Sequence, residues 1–273
     1  MGLSINQNIA AVNSYRNLSN TQNDLSKSLE KLSSGFRINR AADDAAGLAI
    51  SEGLRSQVGG LKVAARNAQD GISVVQTAEG AMTEVHAILQ RQRDLAVQAG
   101  NDSNNVAARV NIKAESDSLS LELTRIADST NFNGADLLKG GTMTFQVGAG
   151  SDAGTNQIEV NLADISALGT TIGALDFDSA ENALTTLAAI DTAIGSVSTA
   201  RAGLGAVQNR FEHTIKNINV AVENLSASES RIRDTDMAQE MVSFTRAQIL
   251  SQAGTAMLAQ ANQIPQGVLS LLR

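Results

Sequence analysis

The apolar positions between residues 183 and 232 follow one helical pattern for fifty residues. They recur at alternating steps of four and three, which keeps a single stripe on one side of an α-helix for about 75 Å. Three polar members interrupt the stripe, as is typical of seam positions that fix register. Because ordinary helices have about 10 to 14 residues, the pattern favours a long packed helix over the alternative, a surface helix on a globular domain. The stripe consists of Ala183, Leu187, Ile190, Ile194, Val197, Arg201, Leu204, Gln208, Phe211, Ile215, Ile218, Val222, Leu225, Glu229 and Ile232.

Shorter stripes predict further helices on both sides of this one. Residues 5–33 are predicted to be helical, followed by a connector over residues 37–49. The first stripe holds Leu18, Leu25, Leu29, Leu32 and Phe36; the second holds Gly71, Val75, Ala78, Met82, Val85, Leu89 and Ala96; the third holds Ile112, Leu119, Leu123 and Ile126. A last helix carries Met257, Ala261, Ile264, Val268 and Leu271 on one stripe, and Pro265 predicts a kink or a break within it.

The middle of the chain has a different character. Residues 142–147 and 157–162 alternate apolar and polar positions around a loop rich in Gly, Asp, Ser and Asn. This alternation predicts a β-hairpin. The fold class is therefore mainly α, a long antiparallel helical bundle or coiled coil with a small hairpin region at about residues 141–165.

Composition narrows the function. Aromatic residues make up 3% of the chain and tryptophan is absent, which predicts a narrow core of aliphatic side chains. The net charge of −7 and the lack of a basic cluster argue against binding to nucleic acid. Without cysteine there are no disulfides. The first residues lack the pattern of a Sec signal, and no apolar run is long enough to span a membrane.

The sequence offers no catalytic constellation and no cofactor or metal motif. The Gly-rich loop at 147–154 follows a strand, but its spacing does not fit a dinucleotide-binding loop. His86 and His213 lie in different halves of the chain, outside any zinc motif. The acidic pairs Asp43/Asp44 and Asp234/Asp236 are interpreted as helix caps or ion-pair partners. We therefore expect a protein that is not an enzyme.

Both ends of the chain are amphipathic, and each is the obvious partner of the other. A single antiparallel pair leaves much apolar surface exposed, which predicts polymerisation. Identical chains that meet through different surfaces form an open helical filament. The predicted assembly seam consists of Leu25, Leu29, Leu32, Ile218, Val222, Ile264, Val268 and Leu271.

Specific motifs in both terminal regions resemble bacterial flagellin. They occur in the family's order at both ends and together cover roughly the first 140 and last 90 residues. The N-terminal motifs are LSSGFRIN at 32–39, DDAAG at 43–47 and RNAQDGIS at 66–73; the C-terminal motifs are RAQIL at 246–250, QAGT at 252–255, LAQANQ at 258–263 and LSLLR at 269–273.

The resemblance implies a filament subunit of two parts that serves swimming motility in the extracellular flagellum. A terminal coiled-coil part (D0-like) comprises residues 1–44 and 235–273, and a helical rod with the hairpin (D1-like) comprises residues 45–234. No outer D2 or D3 domain is expected. The family is secreted unfolded by the flagellar type III system, which implies an export chaperone and hook-associated and cap proteins as partners. The terminal helices of the family are disordered in the monomer and fold on assembly.

The resemblance also implies recognition by host receptors. The segment at 89–98 resembles the one read by Toll-like receptor 5, which makes Arg91, Leu95 and Glu115 the expected contacts, with Arg91 and Leu95 exposed. Arg233 stands where the family pattern has an acidic residue. The part detected by cytosolic flagellin sensors corresponds to Leu269, Leu271 and Leu272.

Three alternatives stay open. A hook-filament junction protein shares the terminal helices but forms a short adaptor. A secreted effector or receptor ligand would act as a monomer. An enzyme embedded in a flagellin frame is the third, although the short middle region leaves little room for it.

Overall fold

The computed structural model describes the backbone of residues 8–271 and the side chains of residues 8–263. The chain forms two compact units, one made of residues 1–56 and 224–273 and the other of residues 57–223. The elements are α1 (Ile9–Ser34), α2 (Ala45–Ala99), α3 (Val106–Ser129), β1 (Asn131–Phe132), β2 (Ala135–Asp136), β3 (Thr142–Gln146), α4 (Ala153–Asn156), β4 (Gln157–Asn161), α5 (Leu168–Gly173), α6 (Ala180–Arg233) and α7 (Met237–Leu271). The predicted class, mainly α with a small hairpin and no outer domain, is confirmed.

The unit that contains both chain ends, called the terminal unit, is built on the pairing of α1 with α7. Helix α1 begins where the Asn8 side chain accepts a hydrogen bond from the Ala11 amide, and it ends at Gly35, whose φ of 76° is left-handed. The two helices run antiparallel, because Asn8 at the start of α1 donates to the carbonyl of Ala261, and Lys31 near its end pairs with Glu240.

The unit of residues 57–223, called the central unit, packs α2, α3 and α6 side by side with the sheets. The Phe211 ring of α6 is fully buried and meets Phe145 of β3 edge to face, with 5.5 Å between ring centroids. The heptad prediction for α6 is confirmed, since every stripe position from Ala183 to Ile232 is buried or half-buried. Among its polar members, Arg201 pairs with Glu79 of α2 at 3.8 Å.

The predicted hairpin is also confirmed. Strands β3 and β4 pair antiparallel, with Thr142 opposite Asn161 and Gln146 opposite Gln157. The sequence interpretation did not anticipate the smaller hairpin of β1 and β2, nor the short helix α5. Asn133 and Gly134 link β1 and β2 with φ values of 50° and 83°, and this pair of left-handed residues is typical of a type I′ turn.

Some predicted boundaries were wrong. Helix α2 already begins at Ala45, within the segment predicted to be a connector, because Asp44 caps it. Helix α7 runs through position 265 to Leu271, so Pro265 does not end it. Position 5, in the predicted first helix, lies outside the described residues. The predicted domain limits at 44/45 and 234/235 stay a prediction.

Candidate functional site

The pairing face of α1 and α7 mixes small side chains with leucines and one phenylalanine. Leu18 packs against Gly254, where an added Cβ would lie 3.2 Å from Leu18 Cδ1. On this helix pair only Ser28, Ala247 and Ala261 are buried among the side chains that the structure describes, and each is 7% exposed. The covered positions are Ala11, Ser14, Leu18, Thr21, Leu25, Ser28 and Leu32 on α1, and Glu240, Phe244, Ala247, Ser251, Gly254, Leu258 and Ala261 on α7. Helices α1 and α7 therefore contact each other along a single narrow line of residues, called the seam.

Large apolar side chains lie exposed outside this seam. The residues between Met241 and Leu250 that lie off the seam form an exposed apolar face of α7. Its apolar members are Met241, Val242, Ile249 and Leu250, and Ile249 is 60% exposed. Soluble monomers rarely expose a contiguous patch of this kind. The other exposed apolar side chains of the pair are Ile9, Val12, Tyr15, Leu29, Met237 and Met257.

The predicted assembly seam is only partly the seam of the folded chain. Leu25, Leu32 and Val222 are half-buried and Ile218 is buried. Leu29 and Met257 were expected on the stripes, but they are 58% and 64% exposed, respectively. Along α1 the seam positions alternate between Leu and Ser or Thr, so the seam leucines recur every seven residues. Leu29 follows the seam residue Ser28 and therefore lies outside the seam. The side chains of Ile264, Val268, Leu269 and Leu271, and all of Leu272, lie outside the described residues.

The connectors that follow α1 and precede α7 are joined to each other. Phe36 and Asp234 form an isolated β-bridge, and the Arg37 amide donates to the carbonyl of Arg233 at 2.7 Å. The Arg233 guanidinium lies 4.6 Å above the centre of the Phe36 ring and donates to Glu52 at 3.0 Å. Arg233 thus contacts both the connector after α1 and the first turns of α2.

Three of the four acidic residues cap a turn or a helix, as predicted, whereas the Asp234 carboxylate accepts a hydrogen bond from Ser230 Oγ at 2.6 Å. The Asp44 carboxylate accepts a hydrogen bond from the Gly47 amide at 2.8 Å, and a Cβ at Gly47 would lie 2.4 Å from that carboxylate. Asp236 likewise accepts from the Ala238 amide at the start of α7. The Asp43 carboxylate accepts from the amides of Arg40 and Asn39, and these bonds lower the pKa of Asp43 below its ordinary value.

The three residues predicted to contact a receptor lie on α2 and α3. Arg91 and Glu115 are exposed and form a two-pronged ion pair, with Nη2 and Nε of Arg91 at 2.6 and 2.8 Å from Oε1 of Glu115. Leu95 is only 2% exposed and belongs to a core cluster with Phe177 and Ile190. The expectation that Leu95 is exposed was wrong, because α2 is covered by α3 on one side and by α6 on another.

A buried amide, missed at the sequence level, joins α2 to α3 beneath this surface. Gln92 is fully buried and donates to Ser120 Oγ at 2.9 Å. A glutamine between two arginines is typical of an exposed helix surface, so its burial was not predicted. The only signal of a buried partner is the pair of serines at 116 and 120, which lie one turn apart on α3.

The described residues contain no assembled chemical centre. Among them no three histidine or acidic side chains come together as metal ligands. His86 and His213 stay separate: His86 meets Gln90 on its own helix, whereas His213 lines a groove beside the hairpin. No described helix is long and apolar enough to cross a membrane.

Comparisons with known proteins give a consistent result. Residues 5–142 match the bacterial flagellin N-terminal helical region, and residues 187–272 match the C-terminal helical region. The chain is 52% identical to the flagellin of Halalkalibacterium halodurans over 98% of its own length and 99% of the relative's. It is 51% identical to the flagellin of Bacillus subtilis, with the same coverage. The crystal structure of Bacillus cereus flagellin is 31% identical, covers 56% of this chain and 88% of its own, and has a TM-score of 0.49.

Proposed function

The chain belongs to the bacterial flagellin family and is a structural subunit of a filament, not an enzyme, and from this premise we propose that polymerisation is driven by its terminal helices. The observation that carries the proposal is the exposed apolar face of α7 opposite its seam with α1. Full burial of a large aliphatic side chain stabilises by about 1.5–3 kcal/mol. Neighbouring copies that cover Met241, Val242, Ile249 and Leu250 would therefore supply several such contributions.

Seeded growth tests this proposal. Purified chain added to filament fragments should elongate them into long fibres, whereas an Ile249→Asp variant should fail to do so. Because Ile249 is exposed in the free chain, this variant should melt at the same temperature as the wild type. The control is Gln248→Asp, which changes the exposed residue directly before Ile249 on the same helix. This variant should elongate the seeds normally. Normal growth of Ile249→Asp would show that this face stays uncovered in the filament.

The same experiment separates the alternatives. A hook-filament junction protein would add a short cap to the seeds instead of growing them. A monomeric effector or receptor ligand would leave the seeds unchanged.

The chain is also proposed to leave the cell unfolded through the flagellar type III apparatus, with an export chaperone, and to meet hook-associated and cap proteins at the growing end. Membership of the family and the absence of cysteine support this route. In a flagellated host that lacks its own flagellin, the chain should accumulate in the medium. Equal accumulation after deletion of the flagellar export gate would contradict the route.

A receptor role is proposed for the exposed pair of Arg91 and Glu115, with host Toll-like receptor 5 as the partner. Both side chains are accessible and fixed by their mutual ion pair, whereas Leu95 lies beneath them in the core. Arg91→Ala should lower receptor signalling without affecting the melting of the monomer. Arg125→Ala, which breaks a comparable exposed pair with Glu122, is the control and should signal normally. Equal signalling by both variants would contradict the assignment.

Leu95 and the C-terminal leucines need separate tests. Leu95→Ala should lower the melting temperature, so a loss of signalling by that variant does not identify a contact. Leu269, Leu271 and Leu272 are proposed to be read by cytosolic sensors, and their joint replacement by alanine should abolish sensor activation. The predicted division into residues 1–44 with 235–273 and residues 45–234 is tested by limited proteolysis, which should trim the monomer to the second part.

A further inference from the structure

The methionines of the chain differ sharply in their exposure to solvent. In the central unit, Met82 of α2 is fully buried and Met143 of β3 is half-buried against the core. Helix α7 carries three methionines whose side chains the structure describes, and all three are exposed. The exposed fractions are 47% for Met237, 52% for Met241 and 64% for Met257. Small solutes therefore reach the sulfur atoms of α7 but not that of Met82.

Met241 differs from the other two exposed methionines in its surroundings. It is the only methionine among the residues that line the apolar face of α7, where it lies with Val242, Ile249 and Leu250. Met237 is the first residue of α7, and Met257 lies two turns beyond Leu250. The apolar face thus contains one sulfur atom, and that atom is accessible in the free chain.

An exposed thioether is open to oxidation by a peroxide. The sulfur lone pair attacks one oxygen of hydrogen peroxide, the O–O bond breaks, and the other oxygen leaves as water after it takes up a proton. The sulfur loses two electrons, and the peroxide is reduced by two. The product, methionine sulfoxide, replaces a flexible apolar side chain with a polar one, and a methionine sulfoxide reductase reverses the change.

We propose that Met241 is an oxidation site at which peroxides control assembly of the chain. The free subunit exposes the Met241 sulfur, and its oxidation places a strong hydrogen-bond acceptor in the apolar face of α7. A neighbouring copy that covers this face would bury the sulfoxide oxygen without a partner, which is unfavourable. The oxidised subunit is therefore excluded from the growing end until it is reduced. This inference rests on the proposed function, in which that face is covered in the filament.

Oxidation of the purified full-length monomer tests the proposal. The monomer is treated with hydrogen peroxide, the peroxide is removed, and peptide mass spectrometry measures the sulfoxide at each methionine. Met241 should be oxidised and Met82 should stay reduced. The treated monomer should elongate untreated seeds at least about tenfold more slowly than the untreated monomer. Treatment with reductases for both sulfoxide epimers should restore elongation to within about threefold.

Three variants assign the effect to one sulfur atom. Met241→Leu keeps an apolar side chain of similar size, so it should elongate at the wild-type rate before and after peroxide. Met257→Leu is the matched control on the same helix, outside the apolar face, and should stay as sensitive to peroxide as the wild type. Met241→Gln introduces a polar side chain of similar length and should slow elongation by about tenfold without any oxidant.

Several results would overturn the oxidation site. They are a reduced Met241 after peroxide treatment, normal elongation by chain that carries the Met241 sulfoxide, and protection by Met257→Leu instead of Met241→Leu. Each of these would leave the subunit function intact. Failure of the untreated wild type to elongate seeds would instead contradict the proposed function.

Discussion

The ring of Phe211 lies directly against the backbone of Gly71. A Cβ atom at position 71 would stand 2.7 Å from Cζ of Phe211, closer than carbon atoms can pack. The glycine in the RNAQDGIS motif thus makes room for the fully buried Phe211 ring between α2 and α6. That ring in turn meets Phe145 of the hairpin, so one small residue permits three elements to share a core.

Replacement of Gly71 by alanine should therefore destabilise the central unit. We expect a loss of about 1–2 kcal/mol, because overpacking of a full core outweighs the helix propensity gained. Gly80→Ala is the matched control on the same helix, since a Cβ there meets no atom within 4 Å. It should stabilise by up to about 1 kcal/mol. Urea unfolding of the two variants measures the difference, and equal effects would contradict the packing role.

A second prediction concerns the heptad stripe of α6. Ile218 is 6% exposed, so an aspartate there places an unpaired carboxylate in an apolar seam. Ile218→Asp should cost several kcal/mol of unfolding free energy. Val220→Asp, two residues further on the exposed side of the helix, should cost less than about 0.5 kcal/mol. Similar melting temperatures of both variants would show that the register of the stripe is wrong.

The parts of the fold that could be predicted are those in which one pattern repeats many times. The α6 stripe extends over seven heptads, so no single residue decides its register. Leu29 and Met257 could not be placed, because many seam positions between α1 and α7 hold small residues such as Ser28 and Gly254, which carry no apolar signal. The exposure of Leu95 was predicted wrongly for a different reason. Helix α2 packs against other helices on two sides, whereas a single apolar stripe indicates only one buried side.

Prediction of the site from the sequence was limited in a similar way. The motif DDAAG could be recognised from the sequence, but its physical basis, the carboxylate of Asp44 folded over Gly47, depends on coordinates.

A third prediction concerns the buried amide of Gln92. Its Oε1 atom has no hydrogen-bond partner, and Ser120 also donates to the Ser116 carbonyl at 2.9 Å. Gln92→Leu should therefore cost less than about 1 kcal/mol, because the serine stays satisfied and an unpaired oxygen is removed. Gln92→Glu has nearly the same shape but places a charge in the core, and it should cost several kcal/mol at neutral pH. Thermal melting of the two variants tests the prediction, and it fails if the leucine variant is the less stable one.

The last prediction concerns acid stability of the terminal unit. The amides of Arg40 and Asn39 lower the pKa of Asp43, so the folded chain holds that proton less tightly than the unfolded chain does. The stabilisation is therefore complete above the ordinary carboxyl pKa of 3.8 and is lost as the pH falls through the lower folded value. Asp43→Asn should melt at a lower temperature than wild type at pH 6, and the difference should shrink towards pH 2. Asp24→Asn removes an equal charge from the exposed surface of α1 and serves as the control. A difference for Asp43→Asn that grows on acidification would contradict the assigned role of the turn carboxylate.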